Sequence, residues 1–432
     1  MRTVNIGIIG GGTVGGGVVQ ALRRNGVLMA SRLGVRLRVG RIAVRSPRKK
    51  RPVKLPKAAL TSDWKSIVND PKIDLVVELI GGITTAKAVV LAALHAGKPV
   101  VTANKALLAF HGERLFSAAD KYGANLYYEA SVAGGVPIIK VLREALVGNL
   151  VTRLYGILNG TCNFILTKMG EGMDFEAALK IAQQQGYAEA DPSLDVDGHD
   201  AAHKVGILAS LAHGFWVKPE KVYTEGIRHV APLDLEFAGK LGHAVKLLGI
   251  VKTSKTGPVQ VTMFPALIPN DHVLANVSDV YNGILVRGDV VGDTLYYGQG
   301  AGQDATASAV LSDIGDAVLD LAHGTTERMK AFNSHEANGA VQPIDEVTSC
   351  YYLRLTVLDR PGVLAKVSTI LAKNKIGISS VIQPEGHEGK SVPLIFMLHY
   401  ARNAAMTRAL KAINKLAAVK AKPVMIRVEN FE

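Results

Sequence analysis

Cysteine is scarce in this chain: 432 residues contain two, Cys162 and Cys350, far apart and without metal-ligand spacing. That excludes a disulfide framework and a zinc ribbon. No uninterrupted apolar run is long enough to cross a bilayer, and the glycine-broken start MRTVNIGIIGGGTVGGGVV has neither the charged flank nor the cleavage pattern of a secretory signal. A cytoplasmic protein without a membrane partner is expected. Internal repeats and low-complexity tracts are lacking too.

Negative charge is missing from the first 62 residues, which hold fourteen Lys or Arg, while the whole chain nets +13. The excess therefore belongs to that one segment, and the remainder is close to neutral. No aromatic residues interleave the basic cluster at 45–51, so base stacking has no platform and nucleic acid is not expected as a partner. A smaller anion is the better match for so local a field.

What is present fits a folded protein of two or three domains, at 48% hydrophobic and 20% charged residues. The run 3–10 is β-branched and ends in glycines, and the periodic stretch VVQALRRNG follows; strand, turn and helix are expected. Further strands are expected at 36–44, 73–80 and 98–102, with helical patterns separating the last two. The spacing predicts a Rossmann-type, doubly wound parallel sheet in α/β order. After Pro137 helices at 138–147, 175–185 and 199–213 mix with strand-like VTRLYGILN, VQVTMFPALI and GILVRGDVVGDTLYYG, an α+β pattern. The expected domains are 1–136 for a dinucleotide, completed by a helix within 305–325; 137–324 for catalysis and dimerisation; a linker at 325–349; and a βαββαβ tail at 350–432, with a turn at 385–390, able to fold alone.

Gly10-Gly11-Gly12-Thr13-Val14-Gly15 fits G-x-G-x-x-G in the setting that gives the motif meaning, after a strand and opening a helix. Where an NAD domain carries an acid at the end of its second strand, this chain has Arg45, followed by Ser46, Arg48, Lys49, Lys50 and Arg51. Such a cluster suits a 2′-phosphate, so NADP(H) is the expected cofactor, with NAD(H) possible and a merely solvated loop the alternative. In VVTANKALLAF, Lys105 falls in the first turn of a helix, where the macrodipole disfavours a cation unless an anionic or polar ligand lies nearby.

Residues 187–204, YAEADPSLDVDGHDAAHK, set five carboxylates before Lys204. Asp200 and Lys204 are four apart and share a helix face. The acids lack the spacing of a calcium loop. His199, His203 and His213 supply no complete zinc set, and Cys162 reads as a core or pocket-wall residue.

The pattern from Ala182 through Gly186-Tyr187-Ala188-Glu189, Asp191-Pro192, Asp195-Val196, Gly198 and Asp200 to Lys204 resembles the signature of homoserine dehydrogenases. GGGTVGGGVV, VVELIGG, VTANKALLA and LNGTCNFILTKM are similar as well, and the tail around DRPGVLAKVSTIL resembles an ACT regulatory domain. One departure is Ile83-Thr84-Thr85-Ala86, where the family often has a proline before the alanine.

The resemblance implies NADPH-dependent, reversible reduction of L-aspartate 4-semialdehyde to L-homoserine, in the route to threonine, methionine and isoleucine. It implies Lys204 as proton donor, with Lys105 a possible sharer. Glu189 and Asp200 would bind the amino acid, and Gly186, Gly302, Thr13, Val14, Arg45 and Lys105 would meet the cofactor. A monovalent cation, usually sodium, would be held mainly by backbone oxygens around Glu129, Val132, Gly134 and Val136. L-Threonine would bind near Asp359 and Gly362, with Asn374 a further contact, and the assembly would be a homodimer or homotetramer. Two other readings stay open on residues alone: a non-catalytic amino-acid and dinucleotide sensor, and another Rossmann dehydrogenase of a small amino or oxo acid.

Overall fold

The structure, a computed structural model, describes residues 1–253, 257–326, 328–384 and 390–431; all but Lys390 of the turn expected at 385–390 lies outside them. The chain divides into two compact units, one of residues 1–154, 203–222 and 281–339, the other of 155–202, 223–280 and 340–432.

In the first unit, β1 (Arg2–Ile9), β2 (Val35–Ala43), β3 (Leu60–Thr61), β4 (Leu75–Glu78), β5 (Val100–Thr102) and β6 (Leu126–Tyr127) form one sheet in the order β3-β2-β1-β4-β5-β6. Every pairing in it is parallel. Val4, Ile6 and Ile8 of β1 and Leu75, Val76 and Val77 of β4 are fully buried, the near-continuous apolar reading of a sheet covered on both faces. Strands β3 and β6 were not expected; at two residues each they show no periodicity. Helix α1 (Thr13–Leu33) runs past Gly26 and stops at Gly34, φ +67°; a mid-helix glycine costs only about 1 kcal/mol. Helices α2 (Lys65–Val68), α3 (Thr84–His95) and α4 (Lys105–Tyr122) complete the winding. Thr84-Thr85-Ala86, the departure noted above, forms the first turn of α3, where a proline would also be accommodated.

Helix α5 (Ile138–Lys140) passes into a π-helical turn at Val141–Ala145, closed by Leu146 N–H donating to Val141 O at 2.9 Å. The regular helix expected over 138–147 is thus interrupted. Strand β7 (Val151–Ile157) crosses the division between the units. Next come α6 (Gly160–Gly170), α7 (Phe175–Gln184), α8 (Ser193–Val196), α9 (His199–His213), β8 (Tyr223–Thr224) and α10 (Pro232–Lys240). Strands β9 (His243–Lys252) and β10 (Gln260–Pro269) pair antiparallel, as do β11 (Tyr281–Gly288) and β12 (Gly292–Gln299). Helix α11 (Gln303–His323) returns to the first unit: Ala307, Val310, Ile314, Ala317 and Val318 share a core with Val4, Ile6, Val18 and Val19.

The tail runs β13 (Thr348–Leu358), α12 (Val363–Lys373), β14 (Ile378–Ile382), β15 (Ser391–Arg402), α13 (Asn403–Ile413) and β16 (Val424–Val428), the expected βαββαβ order. It has its own core around Leu353, Val367, Leu371, Phe396 and Met406. Its sheet does not stop at the tail. Strand β16 pairs parallel with β10, Ala266 opposite Arg427 and Leu267 opposite Val428. Among the described residues, the ion pairs Arg427–Glu225, Arg354–Asp234 and Lys252–Glu429 bind the tail to the middle of the chain. An open edge on each partner and unpaired buried charges are what separation would leave.

Candidate active site

Strand order reverses between β1 and β4, and open α/β sheets bind ligands outside the strand carboxyl ends at that point. Gly10 ends β1 with φ +118°, and a Cβ there would lie 2.4 Å from Leu79 O. A Cβ on Gly15 would meet Gly10 O at 2.0 Å, so the first turn of α1 can close on the strand only without side chains. Gly12 is the N-cap of α1 and faces open space. A cavity of about 450 Å³ lies here, lined by Gly10–Thr13, Arg45, Ser46, Lys49, Lys50 and Arg51. Arg51 is occupied by its own loop, donating to Ser46 O at 2.6 Å and Lys49 O at 2.8 Å. A neighbouring cavity between Arg45, Ser62, Trp64, Gly81 and Thr85 adds a flat aromatic wall.

The turn into α4 is built by residues with no assigned role at the sequence level. Glu78, fully buried, accepts from Ile80 N–H at 2.8 Å and Thr102 Oγ1 at 2.7 Å, and burial pushes its pKa up. Thr102 Oγ1 accepts from Asn104 N–H, Asn104 Oδ1 caps Leu107 N–H, and Asn104 Nδ2 donates to Gly82 O at 2.6 Å. The chain is thereby locked so that Lys105 is the first residue of α4. Phe110 on α4 packs edge-on against His203, next to Lys204 on α9, with ring centres 5.2 Å apart. The two lysine-bearing helices therefore touch within the first unit.

In the second unit the acidic stretch separates into individual tasks. Asp191 accepts from Ser193 N–H, and Asp197 pairs with exposed Arg228 at 2.5 Å. Asn159 caps α6 through Cys162 N–H and donates to Asp195 at 2.7 Å and Asp200 at 3.1 Å. Cys162, fully buried, donates its S–H to Asp195 O, which makes it a wall and not a nucleophile. Asp200, in this unit, and Lys204, past the division at 202/203, are both buried one turn apart on α9, at 4% and 8% exposure. Glu189 and Gly186 are exposed, Gly186 with φ +75°. Gly302, φ +113°, is the N-cap of α11 in the first unit. Asn159 was missed; its signal was the capping Asn-Gly-Thr ahead of an apolar run.

Glu129 is buried and its pKa is raised to about 7 by that burial. Its two carboxylate oxygens accept from Ile139 and Lys140 N–H at 2.9 and 2.8 Å, so the side chain caps the first turn of α5. Ala133 and Gly134 both have positive φ, and a Cβ on Gly134 would meet Gly300 O at 2.5 Å. This buried, irregular stretch, with Val132 and Val136 also buried, suits an all-carbonyl donor set for a monovalent ion. Among the described residues no group of three or more His, Cys, Asp or Glu could hold a metal.

In the tail a cavity of about 450 Å³ is lined by Leu358, Asp359, Arg360, Pro361, Gly362 and Gln383. Gln383 donates to Asp359 at 3.0 Å. Asn374 does not join this group: it ends α12 where Gly362 begins it, and its amide donates to Ile370 O. Eleven helical residues separate them, which sets them about 18 Å apart at 1.5 Å per residue.

A parallel sheet in this order, opening its switch point onto a glycine turn and a cation-lined cavity, is the frame of a nicotinamide-dependent oxidoreductase. Family models fit the chain in three parts: homoserine dehydrogenase, NAD binding domain, over 10–129; homoserine dehydrogenase over 137–314; and ACT domain over 351–417. The chain belongs to the homoserine dehydrogenase family. It is 44% identical to the homoserine dehydrogenase of Pseudomonas aeruginosa across the full length of both. Its fold is similar to the crystal structure of a homoserine dehydrogenase from Thiobacillus denitrificans, with a TM-score of 0.93, 42% identity and coverage of 100% and 99% of the two chains. A hyperthermophilic archaeal homoserine dehydrogenase in complex with NADPH is 29% identical, with a TM-score of 0.63, over 74% of this chain and 98% of its own. Among the described residues no helix is long and apolar enough to cross a membrane.

Proposed function

We propose that this enzyme reversibly reduces L-aspartate 4-semialdehyde to L-homoserine and prefers NADPH to NADH, in the cytoplasmic route to threonine, methionine and isoleucine. The observation that carries the reading is the burial of Asp200 and Lys204 one turn apart on α9, with Asn159 holding the Asp200 carboxylate. When bound, the nicotinamide supplies the hydride. Lys204 stabilises the negative charge that develops on the aldehyde oxygen and gives it a proton. Lys105, at the start of α4, is the second candidate for that proton. Glu189 and Asp200 receive the substrate ammonium.

The turn Gly10, Gly12, Thr13, Val14 and Gly15 takes the pyrophosphate at the N-terminus of α1. Arg45 meets the 2′-phosphate, and Gly186 and Gly302 border the cofactor. Backbone oxygens of Glu129, Val132, Gly134 and Val136 hold a monovalent cation, sodium in the first instance, in a structural role. L-Threonine occupies the tail cavity at Asp359, Gly362 and Gln383 as a feedback inhibitor. The protein assembles as a homodimer or homotetramer through the segment 137–324.

The test is spectrophotometric turnover of both substrates with both cofactors in wild type and two variants. Lys204→Ala is expected to lower kcat by roughly 10²-fold or more with little change in KM, whereas Glu189→Ala raises KM. Near-wild-type turnover in Lys204→Ala removes the donor role.

A further inference from the structure

We propose that Arg427, on the last strand of the tail, is a positioning residue for the segment that leads into Asp200. The inference rests on the assignment of Asp200 to the substrate. The segment from Asp195 to Asp200 is held on one side by Asn159 and Cys162 and fits closely on the other against residues 225–228. A Cβ on Gly226 would lie 2.1 Å from Val196 O and 2.4 Å from Asp197 Cα. Ile227 N–H donates to Val196 O at 2.8 Å, Arg228 pairs with Asp197, and a Cβ on Gly198 would come within 3.1 Å of Glu225 O. So close a fit means that a shift of residues 225–228 presses on the segment before Asp200 against its Asn159 anchor.

Their own anchor is Glu225. Its N–H donates to Met263 O, while its carboxylate accepts from Tyr223 and takes Arg427 on both prongs, at 2.8 and 3.3 Å. Arg427 is 1% exposed, donates also to Asn403 Oδ1 at 2.7 Å and stacks over Phe264 at 4.5 Å. The guanidinium therefore links Asn403 of the tail to Phe264 and Glu225 of the middle of the chain. Strand β16, which carries Arg427, meets β10 through the pairs Ala266–Arg427 and Leu267–Val428 and on its other side pairs with β13, the strand that leads into the Asp359 cavity. A displacement of the tail sheet is thus transmitted, through Arg427 and Glu225, to the segment before Asp200.

The experiment compares full-length Arg427→Lys, Glu225→Gln and Asp200→Asn. Arg427→Lys keeps the charge and loses the fork, which leaves a folded protein to measure. For it and for Glu225→Gln, KM for aspartate semialdehyde is expected to rise roughly tenfold, with kcat and KM for NADPH within about twofold of wild type. An unchanged semialdehyde KM in both, with Asp200→Asn impaired, overturns the positioning role alone. So does a parallel loss of kcat and NADPH binding, the mark of general destabilisation. If Asp200→Asn leaves KM unaltered, the substrate assignment itself falls.

Discussion

Arg45→Ala offers the sharpest check on how the enzyme reads its cofactor. A 2′-phosphate carries about −1.5 to −2 charges near neutral pH, and three cations of the cavity wall, Arg45, Lys49 and Lys50, can meet it. Arg51 contributes shape instead, since its guanidinium is committed to the carbonyls of Ser46 and Lys49. A hydrogen bond to a charged group is worth about 1.5–3 kcal/mol. Arg45 is exposed, so water and salt reduce that to roughly 1–2 kcal/mol, about five- to thirtyfold in binding. We expect kcat/KM with NADPH to drop roughly tenfold in Arg45→Ala and with NADH by less than about twofold. The NADPH effect should also shrink as ionic strength rises from about 0.05 to 0.5 M. Initial rates at saturating semialdehyde measure it. Equal losses with both cofactors, or a wild-type preference for NADH, would refute the argument.

Three further outcomes are expected. Asp234 is fully buried and holds Arg354 at 2.6 and 2.9 Å and the Tyr352 hydroxyl at 3.0 Å; Asp234→Ala should cost about 3–5 kcal/mol in chemical denaturation, and a loss below about 1 kcal/mol would show the pair to be dispensable. Burial, with His335 nearby, lowers the pKa of His213 from 6.5 to about 4. Between those values the unfolded chain binds a proton that the folded one does not, so stability should fall as pH drops through that window; His213→Gln should flatten the dependence in urea melts, and an unaltered slope would refute it. Asp359→Ala should abolish inhibition by threonine while basal kcat stays at the wild-type level; full inhibition in that variant would move the effector elsewhere.

Much of the architecture was legible because it is local. The glycine turn, the four longer parallel strands and the βαββαβ tail each carry a period or a turn residue within a dozen positions. Two-residue strands such as β3 carry no period, and the π turn at Val141–Ala145 sits on an ordinary amphipathic pattern. The site divides in the same way. Asp200 and Lys204 announce themselves by helical spacing, whereas Glu78, Asn104 and Asn159 matter through partners 22 to 41 residues away.

By itself, then, the sequence determined the chemistry available: which turn can approach a pyrophosphate, which strand end is cationic, and which lysine shares a face with an acid. Only the tertiary structure decided how those groups are used. Arg51 is spent on its own loop, the Glu129 carboxylate on the amides of α5, and Asn374, expected as a further effector contact, lies at the far end of its helix from the Asp359 cavity. The tail looks autonomous by pattern, yet β16 and Arg427 bind it to the middle of the chain. Spacing along the chain specifies local geometry, but hydrogen-bond partners across long separations are chosen only when the backbone has folded and buried polar groups must each find one.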